Sequence, residues 1–286
     1  MNNFRSVMEY LSTDYFYGID GELLYEIQSE FQNIQVLENN TFGKMLRIDG
    51  ALQCSENDES YYHEPLIHMV MARAVAEPTV IVVGGGDGGA SEEVLKWKNV
   101  KNVDQVEIDR EVIKASRLYF SSINNGLLNE NQDVDHRFNL HIDDGKKYIA
   151  NLKKNSIKID ALILDLTDPG GPSIMLWDEP FFKICSDVLG SDGILGLHIG
   201  APWAQKARCE LVLARLRSQF ADVTPFITNI PISGGAWMMA TAANTNSRPM
   251  LSQQTLQSML SDLQGKNLKA VDARILHAMV DMAHQF

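Results

Sequence analysis

Residues 79–89 read TVIVVGGGDGG, and residues 103–109 read VDQVEID. The first stretch opens with an unbroken, β-branched apolar run, the pattern of a strand covered on both faces in a parallel sheet. The glycines that follow let the backbone turn sharply into a helix over 90–98. Residues 103–108 repeat the strand pattern, and Asp109 is placed to cap a helix over 110–120.

The alternation continues outward. Strands are predicted over 138–142, 159–164 and 194–199, with helices from Lys146, near 178–189 and near 204–220. Residues 223–230 and 236–242 read as a closing strand pair, and the last forty residues as two helices. Strand–helix repetition of this kind builds an α/β fold, here a Rossmann-like, methyltransferase-type open sheet with helices on both faces. Upstream, short alternating runs at 31–37 and 44–48 are separated by Gly18, Asp20-Gly21, Asn39-Asn40 and Asp49-Gly50, which suggests hairpins of a small antiparallel sheet. Residues 61–76 then read as a helix ended by Pro78. The expected organisation is an N-terminal β-hairpin domain over 1–60 and a Rossmann-like catalytic domain over 61–286.

The 286 residues carry a formal net charge of −12, which argues against a nucleic-acid partner and would draw cations inward. Cys54, Cys185 and Cys209 are odd in number and show no CxxC spacing, so reduced thiols are expected. The N-terminus has no apolar signal-like segment, and no apolar run approaches a membrane span. The expected location is the cytoplasm, with no membrane partner.

Open α/β sheets bind ligands beyond the carboxyl ends of their strands, and the acidic residues gather at those ends. Asp87 sits within the glycine turn, where a carboxylate would repel a pyrophosphate and attract a cation; a helix cap is its plainer role. Glu107 ends the second strand, twenty positions on, a spacing suited to ribose hydroxyls. Asp143-Asp144-Gly145 ends the third strand and suits either an adenine amino group or a turn with a cap. Asp165 and Asp168 end the fourth, in DLTDPGGP at 165–172. Acid at four neighbouring strand ends describes a pocket for a nucleoside with a cation attached. Tyr62 and His63 lie upstream and are placed to line its mouth. His63 and His68 are five apart, a poor spacing for two metal ligands on one helix face, and no metal is expected.

GGGDGG at 84–89 and the DxxDPxGP pattern at 165–172, taken with Gln32, Phe42-Gly43-Lys44, Asp49-Gly50, Gln53, Tyr62-His63-Glu64, 106–109 and Asp144-Gly145, resemble the spermidine synthase family of polyamine aminopropyltransferases over nearly the whole chain. The resemblance implies a transferase that moves the aminopropyl group of decarboxylated S-adenosylmethionine to putrescine, giving spermidine and 5′-methylthioadenosine. It implies that the donor is a co-substrate, with no permanently bound cofactor. Gln32, Glu107, Asp144, Gly145 and Pro172 would hold the adenosine and methylthio part, and Gln53 belongs to the same binding set. Asp87 and His63 would hold the donor ammonium, Asp165 would be the general base, and Tyr62 and Asp168 would help place the acceptor amine. A homodimer or homotetramer is also implied.

Three stretches depart from the family pattern: His198-Ile199-Gly200 where a Gln and a Glu are common, 230–235 (IPISGG) where a Tyr is common, and Leu166-Thr167 where small polar pairs are common. The first two fall on the acceptor side, which leaves spermidine, agmatine or cadaverine as alternative acceptors. A methyltransferase on the same fold accounts for the glycine turn and Glu107 but not for Asp87 with Asp165 and Asp168. A catalytically silent polyamine sensor would have no use for Asp165.

Overall fold

The computed structural model describes residues 3–130, 134–246, 251–263 and 268–286. Five antiparallel strands form the first sheet: β1 (Phe4–Tyr10), β2 (Phe16–Gln28), β3 (Asn33–Asn39), β4 (Gly43–Ile48) and β5 (Ala51–Ser55), in that spatial order. The turn at Asp49-Gly50 forms as the sequence suggests. Gly18 and Asp20-Gly21 do not turn: they lie within β2. Glycine is needed at 21 because a Cβ there would come 3.1 Å from the Glu38 carbonyl and 3.2 Å from Met45 Cε, so it marks a close approach of strands.

Helix α1 (Ser60–Met71) leads into the second sheet. It contains Pro65, which cannot donate to the carbonyl of Tyr61 four residues back. Thr228 Oγ1 donates to that carbonyl at 2.8 Å instead. The helix stops at Met71, short of Pro78, and Arg73 then reaches to Asp222 and Thr241.

The second sheet has seven strands: β6 (Thr79–Gly84), β7 (Asn102–Glu107), β8 (Phe138–Ile142), β9 (Ile159–Asp165), β10 (Leu189–Gly200), β11 (Asp222–Ile230) and β12 (Gly235–Ala243). Their order is β11-β12-β10-β9-β6-β7-β8, with β12 antiparallel to both its neighbours and the other pairings parallel. Both faces are covered, and the side chains show it. Val80, Val82, Ala161 and Ile163 face one core, while Ile81, Val83, Leu162 and Leu164 face the other. α1 and α2 (Gly89–Leu95) pack on the first side; α5 (Gly145–Lys154), α6 (Glu179–Val188) and α7 (Lys206–Gln219) pack on the second. α3 (Arg110–Tyr119) and the short α4 (Ser121–Asn124) join the first sheet's core, where Val112 and Ile123 meet Ile34 and Val36. α8 (Gln253–Ser261) and α9 (Ala273–Ala283) close the chain.

The strand order reverses between β6 and β9, since β7 and β8 extend one way from β6 and β9 lies on its other side. A crevice opens at such a reversal. Gly84 and Asp165 face each other there in register.

Candidate active site

A cavity of about 400 Å³ occupies that crevice, within the usual size of a small-molecule site. Its walls include Gln32 and Gln53 from the first sheet, Tyr62 from α1, and Asp87, Glu107, Asp144, Gly145, Asp165, Asp168 and Pro172 from the strand ends of the second. Ten of the eleven site residues expected from sequence therefore share one chamber. His63 does not line it.

The glycine turn makes this convergence possible. At Gly84 (φ +84°) a Cβ would fall 2.1 Å from the Asp165 carbonyl oxygen. At Gly89 it would strike the His63 ring at 2.4 Å. The glycines therefore let β6 pass β9 and leave room for an imidazole behind the loop.

Asp87 directly precedes Gly88, the cap residue of α2. Its carboxylate accepts the Gly89 N–H at 2.7 Å, at the start of α2, and it also stands at the cavity wall. Behind it, His63 is completely buried, with Nδ1 3.0 Å from Glu59 and Nε2 3.4 Å from Asp87 Oδ1. Burial alone would strip the ring of its proton, but Asp87 and Glu59 outweigh this and hold His63 well above the usual range. Burial would likewise raise Asp87, yet the His63 cation, the Gly89 N–H and the Cys54 thiol keep it below the usual carboxylate value. His63 thus supports Asp87 from behind. His63, Asp87 and Asp165 bring ligand-type atoms within 4.8 Å of one another, but an imidazolium between carboxylates fills the cationic role itself.

Asp165 ends β9. Tyr62 donates its hydroxyl to Oδ1 at 2.6 Å. Oδ2 is buried and has no hydrogen-bond partner among the described residues. Burial, then the negative charge of Asp87, push Asp165 up to about 6, against the pull of His63 and Tyr62. One oxygen is thus oriented and the other is free, on a carboxyl with enhanced basicity.

Glu107 ends β7, accepts the Asp109 N–H at 2.8 Å, and is pushed by burial up to about 7. Asp109 caps α3 through the Glu111 N–H and also accepts from Ser29 Oγ at 2.6 Å and Gln32 Nε2 at 3.1 Å, so it fastens the first sheet to the second. Asp144 caps α5 through the Lys147 N–H at 3.1 Å while facing the cavity. Gln53 Nε2 donates to the Ala51 carbonyl at 2.9 Å.

Asp168 lines the cavity as well. Both of its oxygens are taken by Arg208 of α7, at 2.7 and 2.8 Å. Burial would raise Asp168, but Arg208 holds it below the usual range. The same wall holds His198, whose Nε2 donates to the Leu166 carbonyl at 2.6 Å and whose Nδ1 accepts from Trp237 Nε1 at 3.4 Å. Burial lowers His198 to about 4, so the ring is neutral.

Sequence reasoning missed Glu9 and Tyr17, which also line the cavity. Glu9 accepts from the Leu52 N–H at 3.0 Å and Arg47 Nε at 3.3 Å, and burial raises it. Its signal is faint: Val7 and Glu9 are the two buried positions of β1, two apart on the inward face. The segment after Asp168 folds as a single 3-10 turn, Gly171–Leu176, with Ile174 and Met175 exposed. Trp177 is buried against His198 and anchors this turn.

Comparison with known proteins agrees with the geometry. The spermine/spermidine synthase domain matches residues 59–253, and the spermidine synthase tetramerisation domain matches residues 17–56. A polyamine aminopropyltransferase of Nitrosomonas europaea is 34% identical over 276 residues, covering 96% of this chain and 82% of that protein. The crystal structure of a spermidine synthase in complex with the transition-state analogue AdoDATO superposes with a TM-score of 0.83 at 26% identity, covering 98% of this chain and 94% of that one. The spermidine synthase of Thermotoga maritima superposes with a TM-score of 0.82 at 25% identity, covering 98% and 93%. The chain belongs to the spermine/spermidine synthase family of polyamine aminopropyltransferases.

Proposed function

We propose that this chain transfers the aminopropyl group of decarboxylated S-adenosylmethionine to putrescine, giving spermidine and 5′-methylthioadenosine. The observation that carries this reading is Asp165, a cavity carboxylate of raised basicity with one oxygen oriented by Tyr62 and the other free.

Glu107 accepts from the ribose hydroxyls, and Asp144, Gln32 and Gln53 surround the rest of the nucleoside. Gly145 and Pro172 bound the adenine and methylthio parts. Asp87 meets the donor ammonium, kept ionised by His63 behind it. An intact S-adenosylmethionine carries a carboxylate beside that amine, and Asp87 repels it.

A primary amine resembles lysine, with a pKa of about 10.4, so only about one molecule in 2,500 is free base at pH 7. Asp165 binds the acceptor as an ammonium and takes one proton from it. The freed nitrogen attacks the carbon that joins the aminopropyl chain to sulfur. A C–N bond forms, the C–S bond breaks, and its electron pair returns to sulfur as neutral methylthioadenosine. The sulfonium is already a good leaving group, so the step needs no acid catalyst. Glu9 faces the acceptor's second ammonium from the opposite wall.

The match of residues 17–56 to a tetramerisation domain supports a homodimer or homotetramer. The three buried free cysteines fit a reducing, cytoplasmic setting, and no described helix is long and apolar enough to cross a membrane. The fold divides near residue 60 in this reading.

The test is a product assay. Decarboxylated S-adenosylmethionine is supplied with putrescine, cadaverine, agmatine or spermidine, and methylthioadenosine and the new amine are followed by mass spectrometry. Release with putrescine preferred is expected. Methyl transfer from S-adenosylmethionine, with no methylthioadenosine from any amine, would overturn the reading.

A further inference from the structure

Besides the carboxylates assigned to the donor, three more line the cavity: Asp165, Asp168 and Glu9. Their electrostatic states differ. Among the described residues Asp165 forms no ion pair, and the His63–Asp87 pair stands beside it within 4.8 Å. Glu9 has a single contact to Arg47 Nε at 3.3 Å. Asp168 is gripped on both oxygens by the planar fork of Arg208.

The fork is built into the wall. The Arg208 guanidinium carbon lies 5.4 Å from the centroid of the Trp177 ring, and Nε is buried with no hydrogen-bond partner. Gly200 makes the space. A Cβ there would fall 2.5 Å from Gln205 Oε1 and 3.4 Å from Arg208 Cζ, and Gln205 Oε1 is itself fixed by the Ala201 N–H at 3.0 Å. A side chain at 200 would displace Gln205 Oε1 and pack against the Arg208 guanidinium. His198, on the same wall, is neutral and adds no charge.

An ammonium that reaches Asp168 therefore meets an ion pair whose charges cancel. A guanidinium held bidentate is not displaced by a flexible amine at equal charge. Less fully neutralised negative charge remains at Asp165 and at Glu9, whose one Arg47 contact leaves its second oxygen to the Leu52 N–H. From this we infer that Arg208 is a specificity-determining residue. By holding Asp168 it limits the acceptor to two ammonium groups, so that a diamine is taken in preference to a triamine. The inference rests on the aminopropyl-transfer reading above.

The test measures kcat/KM for putrescine and for spermidine at saturating decarboxylated S-adenosylmethionine, by methylthioadenosine release. Arg208→Met frees Asp168, and the spermidine-to-putrescine ratio is expected to rise about tenfold. Arg208→Lys keeps the charge but not the fork, and its ratio should lie between the two; it also serves if the Met variant fails to fold. The Arg208→Met/Asp168→Asn double variant restores a neutral wall, and the ratio should return close to that of the unaltered protein. That reversal separates charge control from damage to packing. A ratio unchanged within twofold in a folded Arg208→Met variant, or a raised ratio that the double variant does not reverse, would overturn the role of Arg208 alone. No methylthioadenosine from the unaltered protein with any amine would overturn the reading beneath it, and this inference with it.

Discussion

If Asp165 removes the acceptor's proton, the pH dependence of the chemical step carries an acid limb set by that carboxyl, which a change at Tyr62 should move. The reacting pair is an ionised Asp165 with a protonated amine. With Asp165 at about 6, roughly nine-tenths of the carboxyl is ionised at pH 7 and roughly one-tenth at pH 5. The single-turnover rate should therefore fall about ninefold from pH 7 to pH 5 and stay level from pH 7 to pH 9. If instead the enzyme selected free amine from solution, the rate would climb about tenfold per unit through the whole range, because the amine titrates near 10.4. Tyr62→Phe sharpens the test. The hydroxyl donates at 2.6 Å to Asp165 Oδ1 and stabilises the ionised form. A hydrogen bond to a charged group is worth about 1.5–3 kcal/mol, so losing it should move the acid limb upward by about one unit or more. Rapid-quench measurement of methylthioadenosine between pH 5 and 9, with the donor saturating and the acceptor well below saturation, reads both effects. A tenfold-per-unit rise continuing above pH 7, or a limb that does not move in Tyr62→Phe, would remove Asp165 from the base role.

Glu107 is an acid whose folded value, about 7, lies above its ordinary 4.5. A raised acid favours the fold at low pH and weakens it as pH rises through that window, so Glu107→Gln should stabilise the unliganded protein above pH 7 by up to about 3 kcal/mol and leave it unchanged below pH 4.5. Denaturant titrations at the two ends of that range check it, and a variant less stable at pH 8 would contradict the sign. Gly84→Ala drives a Cβ to within 2.1 Å of the Asp165 carbonyl at φ +84° and should cost about 3 kcal/mol or more together with most activity; circular-dichroism melts and turnover measured together would show it, and an unaffected melt would contradict it. The Gly171–Leu176 turn, with Ile174 and Met175 exposed, should gain amide protection when donor and acceptor bind and exclude water from the reaction. Equal hydrogen exchange with and without ligands would count against such closure.

The convergence of acidic residues at the cavity was legible because parallel strand–helix alternation brings successive strand ends to one edge. Once 79–83, 103–108, 138–142 and 159–164 read as neighbouring strands, Asp87, Glu107, Asp144 and Asp165 had to converge. Asp109 was legible as a cap, but its second task of holding Ser29 and Gln32 across the two sheets was not, since no local pattern reports contacts 77 and 80 residues away. Asp20-Gly21 misled because glycine serves turns and close strand approaches alike, and only the neighbouring strand decides between them. Glu9 on an edge strand and Arg208 on α7 carry little local signal of burial. Their burial depends on how the first sheet and α7 fold over the chamber. The departures at His198 and Gly200 lie near Arg208 and Trp237, and no local pattern reports that Gln205 Oε1 takes the space beside Gly200.

His63 is where residue type and residue role come apart, and the sign of one experiment decides between them. Asp87 and Asp165 stand close enough that Asp87 raises Asp165. Two such carboxylates ordinarily share a proton. An imidazolium behind only one of them resolves the conflict asymmetrically: Asp87 stays ionised as an anchor, while Asp165 keeps the higher basicity that a base requires. Replacing His63 with Gln keeps a hydrogen-bonding side chain but removes the charge. Asp87 then takes up a proton more readily and loses its hold on the donor ammonium, so KM for the donor should rise about tenfold or more, while KM for the acceptor changes little. A His63 that touched the donor ammonium itself would be a cation facing a cation, and its removal would tighten donor binding. Steady-state kinetics with each substrate varied in turn separate the two outcomes, and a lower donor KM in His63→Gln would refute the placement of His63 behind Asp87 as its support.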